Sequence, residues 1–160
     1  MTKETLDIVE LVDNNPLIRF TNQDYNSNLI KEEFTTTEQQ LFLSNTYCYL
    51  NYDTEIDFVV ELHNIWKWIG FTRIDNCKAA LVKHFKINKH YKIEKVAPEV
   101  AGATRTLKEN IKLTVDCFKK LCLRAGTSKA DEIHDYYVKL EKVVNKVLYE
   151  ESEQLRNLSN

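Results

Sequence analysis

The chain has 160 residues, 11% of them aromatic, with only three glycines and two prolines, so disorder and a many-turned all-β fold are set aside in favour of one helix-rich domain. No apolar run approaches the roughly 20 residues that a membrane-spanning helix needs. The net charge of −2 hides a segregation: residues 1–60 carry three Lys+Arg against eleven Asp+Glu, residues 61–130 fifteen against six, and residues 131–160 four against seven.

A basic block between two acidic ones is a better candidate for polyanion binding than an isoelectric point near 6.1 implies. The acidic start, MTKETLDIVELVDN, lacks a signal-peptide core, which predicts a cytosolic or nuclear protein. Cys48, Cys77, Cys117 and Cys122 show no C-x-x-C spacing and sit in apolar or helical settings, so buried reduced thiols are expected. His63, His84, His90 and His134 do not supply zinc-ligand spacing, and no Walker loop or nucleophile–base pair is present. No cofactor, no metal, no catalytic residue and no enzymatic activity are therefore expected.

In chain order, Thr5 to Val12 predicts a short helix, broken at Asn14-Asn15-Pro16, and Asp24 to Phe34 a second. Thr35 and Glu38 have capping-box spacing and start a helix to about Leu50, with Leu41, Phe42, Tyr47, Cys48 and Leu50 as its apolar face. Asn51 to Thr54 reads as a turn. Ile56, Phe58 and Val60 then alternate with Asp57, Val59 and Glu61, the pattern of a half-buried strand.

A tight helix–turn–helix follows. Gly70 stands where a helix C-terminus needs a left-handed residue, and Thr72 with Asp75 has the spacing of a capping box. The second helix, Arg73 to Phe85, should bury Cys77, Leu81, Phe85 and part of Ile74, leaving Arg73, Lys78 and Lys83 in solvent. Trp66 and Trp68 point to different faces of the first helix; Trp66 is expected in the core, and Trp68 partly exposed or under a hairpin, the alternative being a stacking platform for bases.

Tyr91 to Val96 and Ile111 to Val115 predict two short strands, joined by the loop Ala97 to Asn110 with its Arg105 and Lys108: a wing-like antiparallel hairpin. Thr114 should cap a helix ending at Gly126, and Ser128 with Asp131 repeats the cap signal for a last helix. Its seam, Ile133, Tyr137, Leu140, Val144 and Val147, is coiled-coil-like and has no C-terminal cap signal, which suggests continuation into a coiled coil or a further domain. Asp116 and Asp131 read as first-turn acids, Tyr136 and Tyr137 as helix packing, and His84 and His90 as structural or surface residues. Lys119, Lys120, Arg124 and Lys129 form a second basic group, extending the first or serving the helix end.

The fold class expected is thus α+β, mainly helical, with a small antiparallel β-hairpin and a long C-terminal helix. Three parts are expected: residues 1–34, an acidic helical segment; 35–130, the core domain; and 131–160, the long helix.

The run from Asp57 to Leu140, with DFVVELHNIWKWIGFTRIDNCKAALVKHF, HYKI, AGAT and IKLTVDCFKKLCLRAGTSKADEIHDYYVKLE, resembles a viral MSV-type domain of insect poxviruses and iridoviruses, related to the Bro-N and KilA-N group and to phage antirepressors. The resemblance covers most of the chain beyond about Glu33. It departs where members tend to have two adjacent glycines and this chain has Gly102-Ala103. It implies a viral regulator, in the host cell cytoplasm or nucleus, whose domain binds DNA and controls transcription or replication; it implies no shared catalytic residue. The expected contacts to duplex DNA are Lys67, Arg73, Lys78, Lys83, Lys86, Lys89, Lys92, Arg105 and Lys108. The rival expectation is a protein-interaction module, acting on a partner or by self-association through the acidic N-terminal part and the final helix.

Overall fold

A computed structural model describes residues 5–13, 32–96 and 108–158. Along these run α1 (Ile8–Asp13), α2 (Thr36–Asn51), β1 (Phe58–Glu61), α3 (Leu62–Ile69), α4 (Ile74–His84), β2 (Tyr91–Val96), β3 (Lys108–Thr114), α5 (Val115–Arg124) and α6 (Ser128–Leu158). The class is α+β as expected: mostly helical, with a small antiparallel sheet and a long C-terminal helix. The expected break at Asn14-Asn15-Pro16, most of the expected helix from Asp24, and Arg105 with its loop lie outside the described residues.

The hairpin of β2 and β3 gains a third strand. The sheet order is β1-β3-β2, both pairs antiparallel, so β3 is central. Tyr91 lies opposite Leu113, and Ile93 opposite Ile111. Strand β3 starts earlier than expected, which moves Lys108 from the loop into the ladder opposite Val96. Strand β1 does not alternate: Val59 and Val60 are both buried, because the register against β3 shifts between Phe58 and Val60. A bulge lets successive residues both face inward. Ile56 is left outside the strand, 67% exposed, in a turn where Asp53 Oδ1 accepts from the Glu55 and Ile56 N–H groups. The far edge of β1 is covered by Leu6, whose N–H donates to the Val59 carbonyl at 2.7 Å.

Helix α2 begins with the predicted capping box. The Glu38 N–H donates to Thr35 Oγ1 at 3.2 Å, and the Thr35 N–H donates to Glu38 Oε1 at 2.9 Å. Lys139 of α6 adds a salt bridge to the same carboxylate at 2.7 Å. Burial alone would raise the Glu38 pKa, but Lys139 and the Thr35 groups outweigh it and hold the carboxyl below its usual value. Thr35→Ala should therefore lower stability by about 1 kcal/mol, the usual worth of such a cap, read as a shift in urea midpoint. An unchanged midpoint would mean that Lys139 alone holds Glu38. On the expected apolar face of α2, Cys48 is buried and Leu41, Phe42 and Tyr47 are half-buried, but Leu50 is exposed, and Leu43 and Ser44 are buried in addition. Two residues past Cys48, Leu50 lies about 200° around the helix from it.

The core has two parts. The larger joins β1, β3 and helices α3 to α5 through Val60, Leu62, Ile65, Leu81, Leu113 and Leu121. The smaller holds Phe34 against Tyr136 and Val143 of α6. Val143, and not the expected Val144, faces inward, because α6 packs on its own domain with a 3.6-residue stripe instead of a 3.5-residue seam. Leu148, Tyr149 and Leu158, beyond that packing, are exposed. Among the described residues, no helix is long and apolar enough to cross a membrane, and no group of three or more His, Cys, Asp or Glu is placed to hold a metal.

Candidate nucleic-acid interface

The helical pair is built as its glycine requires. Leu62, Ile65 and Ile69 anchor α3 in the core, and Gly70 ends it at φ 107°, its N–H donating to the Lys67 carbonyl at 3.0 Å. The Thr72–Asp75 box does not form: α4 starts one residue later, with Arg73 as N-cap and no side-chain cap bond. Burial of Cys77, Leu81 and Phe85 fixes where α4 sits, and the cap follows from that. The last helix is also capped one residue earlier than expected. Thr127 Oγ1 accepts from the Ala130 N–H at 3.2 Å and donates to the Ile69 carbonyl at 2.6 Å. One hydroxyl thus ties the end of α3 to the start of α6.

Trp66 and Trp68 are both half-buried against the larger core. Trp68 packs on α5 and α6, not under the hairpin: its ring lies 6.0 Å from that of Phe118, and Lys129 Nζ stands 4.8 Å from its centroid. Lys67 Nζ lies 5.9 Å from the Trp66 ring. A two-tryptophan stacking platform is not what these contacts build.

The predicted basic residues separate into three settings. Lys67, Arg73, Lys83, Lys86, Lys89 and Lys108 are exposed, while Lys78 and Lys92 are half-buried. Lys78 of α4 and Lys108 of β3 line one cleft of about 290 Å³ together with Leu62, Ile74 and the carboxylate-bearing Glu109. Helix and hairpin each supply a cation to it. Lys92, by contrast, is paired with Glu94 at 2.8 Å, and Lys112 reaches the same carboxylate at 3.1 Å. Hydrogen bonds from Lys92 and then Lys112 hold the Glu94 pKa below its usual value. Lys92 is thereby compensated within the sheet.

The third setting is the turn between α4 and β2. Asn88 takes φ 65°, a conformation asparagine tolerates, and its N–H donates to the Tyr91 carbonyl at 2.6 Å. His90 Nδ1 accepts from the Lys86 N–H at 2.9 Å, and its ring meets Phe85 edge-on at 5.6 Å. Burial, then Lys89, Lys120 and Lys86, push the His90 pKa down. Lys89 and Lys120 also line one cleft together with His90. Lys120 comes from α5 and was grouped elsewhere by sequence. Its companions are engaged differently: Lys129 with Trp68 and, at 3.3 Å, Glu132; Arg124 with His84, also at 3.3 Å.

A family model described as the MSV199 domain matches residues 6–144 of this chain. No curated protein and no solved structure matches it.

Proposed function

The chain belongs to the MSV199 domain family, and from that premise we propose that it is a viral DNA-binding regulatory domain, akin to Bro-N, KilA-N and phage antirepressor domains, working in the cytoplasm or nucleus of the host cell. One observation carries the reading: Lys78 and Lys108, remote in sequence and set on helix and strand, line a single cleft in the basic middle of an otherwise acidic chain. Two such cations fit the phosphates of duplex DNA. Phosphate contacts supply affinity and salt dependence but read no sequence.

The test is a titration of a labelled duplex at 50 and 200 mM salt. Affinity should fall as salt rises. Lys78→Glu with Lys108→Glu should remove two phosphate contacts and flatten the salt slope by about 1.8, worth roughly tenfold between those concentrations. Lys92→Gln should change little, because Glu94 already compensates Lys92. No binding at the lower salt, or a double variant that binds as tightly as wild type, overturns the reading. A second reading, a protein-interaction module, is favoured by Leu148, Tyr149 and Leu158, which α6 carries exposed beyond its own packing. It predicts no salt-dependent DNA binding and loss of partner capture on removal of residues 148–160.

A further inference from the structure

A second cleft, of about 500 Å³, shares no lining residue with the Lys78–Lys108 cleft. It lies where the turn before β1, the turn at His90 and the first turns of α5 meet. Its lining combines three chemistries: cations from Lys89 and Lys120, carboxylates from Glu55 and Asp116, and apolar surface from Ile56 and Phe58. Among the described residues, neither Lys89 nor Lys120 has a carboxylate within salt-bridge distance, although Asp116 stands four residues before Lys120 on α5. Ile56 is 67% exposed at the cleft, a large apolar side chain held open by an ordered turn. Lys92 Nζ lies 5.5 Å from the Phe58 ring.

An unbroken phosphate backbone asks only for cations and donors, and gives the two carboxylates and the exposed Ile56 of this cleft no role. A nucleotide asks for all three chemistries. Its phosphate needs cations, its flat base needs apolar or aromatic surface, and its exocyclic amino group needs an acceptor, which Asp and Glu supply to cytosine N4. The cleft volume falls within the range of about 300–1,000 Å³ typical of small-molecule sites. Resting on the nucleic-acid reading above, we propose that this cleft holds one unstacked nucleotide of a bound strand, its phosphate on Lys89 and Lys120, its base against Ile56 and Phe58, and its amino edge on Asp116 or Glu55. The ligand class is then DNA with an unpaired base, bound more tightly than the same sequence fully paired.

The experiment compares a labelled single-stranded 12-mer with its duplex, using dCMP and dTMP as competitors. The single strand should bind at least tenfold more tightly than the duplex. dCMP, which carries an amino group, should compete better than dTMP, which does not. Lys89→Ala with Lys120→Ala should weaken single-strand binding at least tenfold while leaving the circular dichroism spectrum unchanged. Glu55→Ala with Asp116→Ala should erase the preference for dCMP over dTMP without abolishing binding. The proposal is overturned if neither mononucleotide competes, if an amphoteric peptide competes where nucleotides do not, or if the Lys89 and Lys120 changes leave single-strand binding intact. Duplex binding that depends on Lys78 and Lys108, with the single strand bound no more tightly than the duplex, would sink this inference alone. Failure of both DNA forms to bind would sink the function proposed above with it.

Discussion

Gly70→Ala is expected to lower stability by about 2–4 kcal/mol, a large effect for one added methyl group at a turn. Two causes add. At φ 107° the residue lies beyond the left-handed basin that other residues can visit, and left-handed strain costs a non-glycine residue roughly 1–2 kcal/mol. A methyl there would also stand 3.0 Å from Thr127 Cβ and 3.2 Å from Thr127 Cγ2, and overpacking of that kind costs roughly 1–3 kcal/mol. Thr127 cannot step aside easily, because its hydroxyl holds both the Ile69 carbonyl and the Ala130 N–H. The reduced freedom of the unfolded alanine chain offsets about 0.4–1 kcal/mol. Gly126→Ala is the control: its φ is 66°, and a methyl there meets nothing within 4 Å, so strain acts alone and about 1 kcal/mol should be lost. Urea midpoints of the two variants give the comparison. Equal losses would show that the contact with Thr127 contributes nothing.

Gly70 also shows which parts of the fold were legible. A C-cap is a local device, and so are the Thr35–Glu38 box and the Thr114 cap, whose Oγ1 accepts from the Cys117 N–H at 3.1 Å. Each was readable from spacing alone. Where two hydroxyls stood side by side, spacing could not choose: Thr127 caps α6 in place of Ser128 because only Thr127 also reaches the Ile69 carbonyl. Strand β1 was legible as a strand but not as the sheet's third member. Its partner β3 lies far along the chain, and the bulge at Phe58–Val60 erased the alternation that marks a buried face.

The site divides in the same way. Charge segregation located the basic block, and composition can do no more than that. The pairing of Lys92 with Glu94 was readable in principle, since residues two apart on a strand share a face. The meeting of Lys78 with Lys108, and of Lys120 with Lys89, joins stretches far apart in the chain; nothing local encodes it. The amphoteric cleft was illegible for the same reason, since its walls come from three separate stretches of chain.

Raising the pH above 9 should unfold this domain, and its thiols should be the main cause. All four cysteines are free and buried. Burial pushes the Cys48 thiol up to about 11, against a smaller opposing pull from Lys119, and pushes Cys77 and Cys117 up to about 12, from an ordinary value of 9.0. Cys122 is pushed higher still by burial and by Cys77, and burial carries Tyr136 from 10.0 to about 12. A folded pKa above the unfolded one means that the native state favours the neutral form. This stability is present in full below pH 9 and is lost as pH rises from there through the folded values. At about 1.4 kcal/mol per pKa unit, each thiol contributes on the order of a few kcal/mol, and a whole domain is typically stable by only about 5–15 kcal/mol. Unfolding should therefore be complete by about pH 11, before Cys77, Cys117 or Cys122 ionises within the native state. Far-UV circular dichroism and a thiol-reactive chromogenic reagent should report the same transition, with the native thiols silent at pH 8. Cys77→Ala should make the domain less stable at pH 7, because it removes packed volume, yet flatten the fall of stability between pH 9 and 11 by about one proton's worth of slope. A slope unchanged by that substitution, or a thiol that reacts freely in the native protein at pH 8, would show that the buried cysteines do not govern the alkaline limit.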